Sequence, residues 1–175
     1  YLTLIKNKSA CIVTFLDGKD KKNLNNKNCY DTGRNIAKFH KISKKIKLYR
    51  KNSMSINHLD SLLKSIKFKS NKILPNLKLV LKENLKDIKK KWPRNIPKGI
   101  IHGDLFIDNI FFNKNKFAGF IDFYFSSNDY LMYEIAICIN ALCFDKKNNK
   151  FILNNKKIKS FIDGYQSIRK ISQKE

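Results

Sequence analysis

One stretch constrains this chain more than any other: residues 100–125, IIHGDLFIDNIFFNKNKFAGFIDFYF. It sets His102, Asp104, Asn109 and Asp122 between runs of isoleucine and phenylalanine. A carboxylate in apolar surroundings is costly unless it has a partner or a task. Asp104 comes two residues after His102 and five before Asn109, and Asp122 follows Asn109 by 13. Residues 109–112 and 117–123 read as the strands of a hairpin around Asn113-Lys114-Asn115-Lys116, which returns Asp122 to the level of Asn109. An amide oxygen and a carboxylate then meet at one point. Together with nucleotide phosphates they form a set of hard oxygen ligands suited to magnesium. Asp104, on the loop ahead of the hairpin, can take the proton of a hydroxyl attacking a γ-phosphate. Phosphoryl transfer asks for little more, because it rests on positioning and charge neutralisation. His102 is expected to hold the loop by hydrogen bonding, and Asp108 to be a loop or capping residue.

The rest of the chain reads as one domain without repeats. Residues 1–5 and 10–15 form a hairpin around 6–9, Leu16-Asp17-Gly18 a turn, and 20–28 a polar connection. Residues 29–42 read as a helix with Cys29, Gly33, Ile36, Ala37 and His40 on one face. A glycine inside a helix costs about 1 kcal/mol against alanine, so Gly33 implies close packing. His40 is expected to be a packed, hydrogen-bonded histidine. After a basic loop at 44–53, Ser55 caps a helix carrying Leu59, Leu62, Leu63 and Ile66. Residues 67–75 connect it to an amphipathic helix, 76–92, with Leu77, Leu81, Leu85, Ile88 and Trp92 inward; Pro93 and Pro97 stop it. Residues 99–102 are a short buried strand. Asn128 or Asp129 caps an apolar central helix over 130–144, 146–149 is a polar turn, and the last helix runs over 157–171 with Ile158, Phe161, Ile162, Tyr165 and Ile168 on one side. Residues 172–175 are expected to pack against nothing.

A formal charge of +23 raises the question of nucleic acid or an acidic membrane. The distribution argues against both. The lysines are spread over every segment, and Arg34, Arg50, Arg94 and Arg169 are the only arginines, although arginine makes the base and phosphate forks of most nucleic-acid binders. Lysine, asparagine and isoleucine share A/T-rich codons, which explains the composition without a partner. Cys11, Cys29, Cys138 and Cys143 form no CxxC pair and no zinc spacing, so they read as reduced, buried cysteines of a cytoplasmic protein. No uncharged apolar run is long enough to span a bilayer.

The order catalytic-loop aspartate, asparagine, metal-binding aspartate is that of a kinase. His102-Gly103-Asp104-Leu105 with Asn109 and Ile121-Asp122 resembles the aminoglycoside phosphotransferase and choline kinase superfamily. The longer stretches PKGIIHGDLFIDNIFF, GFIDFYFSSNDYLMYEIAICINALCF and GYQSIRKIS are similar to the bacterial homoserine kinases of that superfamily. ACIVTFLDG, residues 10–18, resembles their hinge, and GRNIAKFH, residues 33–40, their first large-lobe helix. The resemblance covers nearly the whole chain and is most specific over 97–144.

It implies an α+β, protein-kinase-like fold, mainly the helical C-terminal lobe with a catalytic β-hairpin. Residues 1–18 would be a remnant of small-lobe strands and hinge, and 19–175 the catalytic and substrate-binding lobe. Asp104 would be the catalytic base, and Asn109 and Asp122 would hold Mg2+. The backbone around Thr14, Phe15 and Leu16 would face the adenine of ATP, with Phe111 and Ile121 as an apolar floor beneath the ring. Tyr124, Asn128 and Asp129 would lie on the homoserine side. Glu134, where relatives carry aspartate, would fix the catalytic loop. The implied reaction is ATP-dependent phosphorylation of the L-homoserine hydroxyl to O-phospho-L-homoserine, a step of threonine biosynthesis.

Two departures stand out. The family's glycine-rich loop and its phosphate-gripping strand lysine have no counterpart, since the six glycines form no GxGxxG. Residues 1–5 read as a strand already under way, and the family's closing helices find no match. The expectation is therefore a fragment truncated at both ends, with little or no kinase activity alone. Other readings stay open: a kinase for choline, an aminoglycoside or a sugar, which the motif does not separate from homoserine; a relative that only binds nucleotide; and a basic, non-catalytic nucleic-acid module, which would show steeply salt-dependent affinity and tolerate Asp104→Asn.

Overall fold

Asn25 begins the longest helix, its side chain accepting the Asn28 N–H at 2.8 Å, and α1 then runs from Asn26–Ser43. The computed structural model describes residues 2–66 and 72–175. Tyr1 and the first part of the connection expected over 67–75 lie outside the described residues. Every residue assigned above to the inner face of this helix (Cys29, Gly33, Ile36, Ala37, His40) is buried.

What covers that face is α5, Asn155–Gln166, at the other end of the chain. The two helices touch backbone to backbone. A Cβ at Gly33 would come under 3.0 Å from the Phe161 carbonyl oxygen, and one at Gly164 equally close to the Tyr30 carbonyl oxygen. Phe161 and Tyr165 pack here with Ile36 and Ala37, and the core continues through Leu105, Ile110, Phe112, Ile135, Cys138 and Leu142. The helix expected over 157–171 is thus displaced towards the N-terminus. Asn154 caps it, accepting the N–H groups of Lys156 and Lys157 at 3.0 and 3.1 Å. The tail after it is not free: Arg169 pairs with Glu175 at 2.6 Å, and the Ser172 N–H and hydroxyl donate to the same carboxylate.

Strands occur only in antiparallel pairs among the described residues: β1 (Leu2–Ile5) with β2 (Lys8–Cys11), β3 (Lys98–Ile101) with β6 (Ser127–Tyr130), β4 (Ile110–Asn113) with β5 (Lys116–Phe120), and β7 (Phe144–Lys147) with β8 (Lys150–Leu153). Three of these pairs are hairpins, and each turns on two residues with positive φ: Lys6-Asn7, Lys114-Asn115 and Asn148-Asn149. Such tight turns match the strand twist, and asparagine tolerates them better than most residues.

Several elements differ from the sequence expectation. The second strand of the first hairpin is Lys8–Cys11 rather than 10–15, and residues 12–16 run outside any strand. Asn128 and Asp129 do not cap the central helix. They belong to β6, whose backbone pairs with β3, and α4 begins at Leu131 with no side-chain cap. The Leu131 N–H is instead taken by the Pro97 carbonyl at 3.1 Å. Helix α4 ends at Leu142, and the turn expected at 146–149 is the tip of the β7–β8 hairpin. Cys11 is exposed, whereas Cys29, Cys138 and Cys143 are buried.

Ser55 does cap α2, Ile56–Ser65, which packs against α3, Leu77–Lys91. This pair buries little: none of α2 is buried, and of α3 only Leu85. Among the described residues no helix is long and apolar enough to cross a membrane.

Candidate active site

Helix α4 organises the site through Glu134, which is fully buried in its first turn. Its carboxylate accepts the N–H of His102 at 2.6 Å and that of Gly103 at 2.9 Å. A second contact comes from α1, where His40 Nε2 stands 3.5 Å from the same carboxylate. The other nitrogen of that ring, Nδ1, is 2.8 Å from the Tyr165 hydroxyl on α5. Burial pushes the Tyr165 hydroxyl up to about 12, so it stays protonated and can donate to Nδ1. Three helices thus converge on the loop that starts at His102. Gly103 allows the loop its shape, with φ +83 and the Phe125 carbonyl oxygen 2.9 Å from where a Cβ would be.

His102 ties this loop to the end of β5. Its Nε2 lies 2.8 Å from the Ile121 carbonyl, its Nδ1 accepts the Asp104 N–H at 3.3 Å, and its ring packs 4.5 Å from that of Phe123. Asn109 closes the short turn Ile107–Asn109. Its side-chain amide donates to the Asp104 carbonyl at 2.7 Å and to the Asp104 carboxylate at 3.2 Å. Its amide oxygen is left for another partner. The Ile121 N–H donates to the Asn109 carbonyl at 3.1 Å, which brings Asp122 beside Asn109 as the hairpin spacing anticipates. Asp122 stands in the left-handed region at φ 59, ψ 62, and its carboxylate is exposed apart from a 3.4 Å bond from the Tyr124 N–H. Left-handed aspartates are uncommon and favour sites where geometry matters more than backbone comfort. The Asn109 amide oxygen and the Asp122 carboxylate are hard oxygen donors, which fit a cation such as magnesium. No group of three or more His, Cys, Asp or Glu residues placed to hold a metal occurs among the described residues.

The other residues singled out in the sequence fall into two groups. Leu16 lies against Gly119 of β5, its side chain 2.8 Å from where a Cβ would stand, and Gly119 is paired with Phe111. Leu16, Phe111 and Ile121 therefore share the hairpin face opposite to Ile110 and Phe112, which sit in the core. Thr14 and Phe15 are exposed, Phe15 by 84%, in the segment between β2 and this hairpin. Tyr124 is 70% exposed, with its carbonyl bonded by the Arg50 guanidinium, which also sits 5.6 Å over its ring. Asn128 and Asp129 are occupied. Asn128 exchanges two 2.8 Å bonds with the Arg50 backbone, and Asp129 accepts the Asn52 amide at 2.6 Å. They hold the loop at 50–52. Sequence reasoning missed Arg50 and the coupling of His40 and Tyr165 to Glu134. Each is a single polar residue far along the chain from its partner, and no local spacing marks it.

Glu134→Ala would leave two buried N–H groups without an acceptor. At about 1–3 kcal/mol for each orphaned group, the loss is expected to be at least about 2 kcal/mol by urea unfolding. A variant within about 0.5 kcal/mol of the parent would mean that the loop does not depend on this carboxylate.

Comparison with known proteins adds three findings. Residues 5–165 match the model of the APH phosphotransferase enzyme family. The homoserine kinase of Sinorhizobium fredii is 33% identical over 174 residues, 99% of this chain and 52% of that protein. The homoserine kinase of Mesorhizobium japonicum is 36% identical over 166 residues, 95% and 51% respectively. The chain thus spans about half the length of the curated relatives it matches. Among solved structures, an amicoumacin kinase in complex with AMP-PNP, Ca2+ and Ami superposes with a TM-score of 0.64 at 13% identity, covering 89% of this chain and 48% of that one. An aminoglycoside-3'-phosphotransferase of type VIII gives 0.63 at 13%, covering 91% and 62%. At that identity the likeness is one of fold.

Proposed function

The chain belongs to the phosphotransferase enzyme family, and on that premise we propose that it is the catalytic lobe of an ATP- and Mg2+-dependent kinase that phosphorylates the side-chain hydroxyl of L-homoserine. The observation that carries this reading is the joining of Asp104, Asn109 and Asp122 by the Asn109 amide bonds and the Ile121–Asn109 backbone bond. The likeness to homoserine kinases at 33–36% identity supports the choice of acceptor.

In this reading Asn109 and Asp122 hold the magnesium ion, which neutralises charge on the nucleotide phosphates. Asp104 takes the proton of the acceptor hydroxyl. The hydroxyl oxygen forms a bond to the γ-phosphorus, the bond to the β–γ bridging oxygen breaks, and ADP leaves with that electron pair. The Asn109 amide aims the Asp104 carboxylate. Glu134, His102 and His40 keep the loop in place, and Leu16, Phe111 and Ile121 offer an apolar floor for adenine. Thr14 and Phe15 serve the nucleotide through the hinge backbone. Tyr124 borders the acceptor side, and Asn128 and Asp129 act there through the loop at 50–52. We assign residues 1–18 to small-lobe strands and hinge and 19–175 to the large lobe, in a cytoplasmic enzyme. Because these 175 residues contain no GxGxxG loop, the chain by itself is expected to give little or no turnover.

A coupled ADP-release assay on the complete protein tests the reading with L-homoserine, choline, an aminoglycoside and a hexose as acceptors. The expected outcome is a kcat/KM for L-homoserine about a hundredfold above the others. Preference for another acceptor would move the enzyme to that substrate, and ADP release independent of any acceptor would end the kinase assignment.

A further inference from the structure

Asp122 starts a turn, and an arginine from the connection between α1 and α2 finishes it. The aspartate stands at the head of the short helical turn Phe123–Phe125, where one of its oxygens accepts the Tyr124 N–H at 3.4 Å. The Ser126 N–H closes the turn on the Phe123 carbonyl at 3.0 Å. The last carbonyls of a helical turn have no donor inside it and need one from elsewhere. Arg50 supplies one: its guanidinium donates to the Tyr124 carbonyl and lies 5.6 Å over the Tyr124 ring. A basic side chain on a closing carbonyl completes the turn from the C-terminal side, as the Asp122 carboxylate does from the N-terminal side.

A contact between an exposed arginine and an exposed tyrosine ordinarily contributes little, because a long side chain loses its freedom to make it. Here the backbone that carries Arg50 is already fixed. Its N–H donates to the Asn128 side chain, and its carbonyl accepts the Asn128 N–H, both at 2.8 Å. Lys51 continues the pairing with Asn128. Buried Asn52 donates to Asp129 at 2.6 Å and accepts the Met54 N–H at 2.7 Å. Asn128 and Asp129 belong to β6, which pairs with β3, and β3 runs directly into His102. The arginine and the catalytic loop are therefore mounted on the same two strands. From that mount the guanidinium reaches the far end of the turn that Asp122 begins.

We propose that Arg50 is a positioning residue for the metal site of the kinase reading above, on which this inference rests. It acts through Asp122 and touches neither the cation nor the phosphates. Asp122 holds a left-handed backbone at φ 59, ψ 62, a conformation that an aspartate keeps only where its surroundings impose it. Its bond from the Tyr124 N–H is long at 3.4 Å, so the turn has to be held at its other end as well. With the Tyr124 carbonyl and ring both gripped, the Tyr124 N–H stays turned to one oxygen of Asp122. The other oxygen is left for the cation. Lysine keeps a donor for the carbonyl but loses the planar group that lies over the ring, so it replaces arginine only in part.

The test is the Mn2+ affinity of the complete protein, read by electron paramagnetic resonance with an unreactive ATP analogue present. The variants are Arg50→Met, Arg50→Lys, Asp122→Ala and the double variant of Arg50→Met with Asp122→Ala. Arg50 is exposed, so methionine there leaves the core untouched and keeps the apolar stem while removing the donors. Arg50→Met is expected to weaken Mn2+ binding about tenfold, as loss of a partner that orients a metal ligand does. Arg50→Lys should recover part of that loss. Affinity for the analogue in EDTA should be unchanged in Arg50→Met, because the guanidinium does not hold the phosphates. In the Asp122→Ala background Arg50→Met should change Mn2+ affinity by less than about twofold, since the residue it acts through is gone. Parental Mn2+ affinity in Arg50→Met, a loss equally large without Asp122, or weaker binding of the metal-free analogue would each overturn the assignment. A loss at Asp122 with none at Arg50 would end this inference and keep the metal site. Parental affinity in Asp122→Ala would end the metal site and this inference with it.

Discussion

Asp104→Asn in the complete protein is expected to slow phosphoryl transfer by about 10²- to 10⁴-fold while the fold stays intact. The two halves of that statement rest on different atoms. Asparagine cannot take the acceptor's proton, so the step that Asp104 is proposed to assist loses its base. The contacts that shape the loop do not need the charge. The Asn109 amide bonds the residue-104 carbonyl at 2.7 Å, the residue-104 N–H bonds His102, and Glu134 holds the two residues before it. An asparagine oxygen can still accept the Asn109 amide where the carboxylate does now at 3.2 Å. Unfolding free energy should therefore move by less than about 0.5 kcal/mol. The loss should appear in kcat with little change in acceptor KM, since proton removal belongs to the transition state. Mn2+ affinity by electron paramagnetic resonance, in the presence of an unreactive ATP analogue, should survive in Asp104→Asn and fall in Asp122→Ala. Transfer at more than a tenth of the parental rate by a well-folded Asp104→Asn protein would remove Asp104 from this role.

The stretch from 100 to 125 was legible because its chemistry is local. The tight turn at Lys114-Asn115 sets the return of the hairpin, so spacing along the chain decides that Ile121, just before Asp122, comes back against Asn109. The buried face of α1 was legible for the same reason, since helical spacing alone brings Cys29, Gly33, Ile36, Ala37 and His40 together. Strands made of polar residues were not. Asn128 and Asp129 carry no alternating apolar pattern, and β6 exists because β3 offers it a backbone partner. Phe144 reads as the end of a helix, but the two left-handed asparagines at 148 and 149 fold it into a hairpin. The spacing of leucines on α2 and α3 foretold both helices, but of the stripe expected to face inward on α3 only Leu85 is buried, because a stripe of leucines does not say how much will cover it. The polar path from Tyr165 through His40 to Glu134 joins three helices far apart in the chain. Each residue reads alone as a histidine, tyrosine or glutamate on an apolar face, and only the packing shows that they meet.

That packing is where the second large effect is expected. Gly164→Ala should destabilise the protein by about 3 kcal/mol or more, although the same exchange inside an exposed helix stabilises by about 1 kcal/mol. The sign is decided by what the new methyl meets. At Gly164 it would press on the Tyr30 carbonyl oxygen, and at Gly33 on that of Phe161, both under 3.0 Å and both backbone atoms that cannot swing aside. Relief requires α1 and α5 to move apart. Ile36, Phe161 and Tyr165 are fully buried between and beside these helices, so separation costs the contacts of several large side chains at once. It also lengthens the 2.8 Å contact between Tyr165 and His40, and with it the support of Glu134. A loss of this size lowers the melting temperature by about 6–12 °C for a domain of this length. Gly33→Ala should act in the same way, and the double variant should cost clearly less than the sum of the two. Once one methyl has parted the helices, the second finds room, so the two sites are coupled rather than independent. Full additivity would mean that each glycine meets its own local obstacle. A stabilising Gly164→Ala would mean that the helices do not touch backbone to backbone in solution.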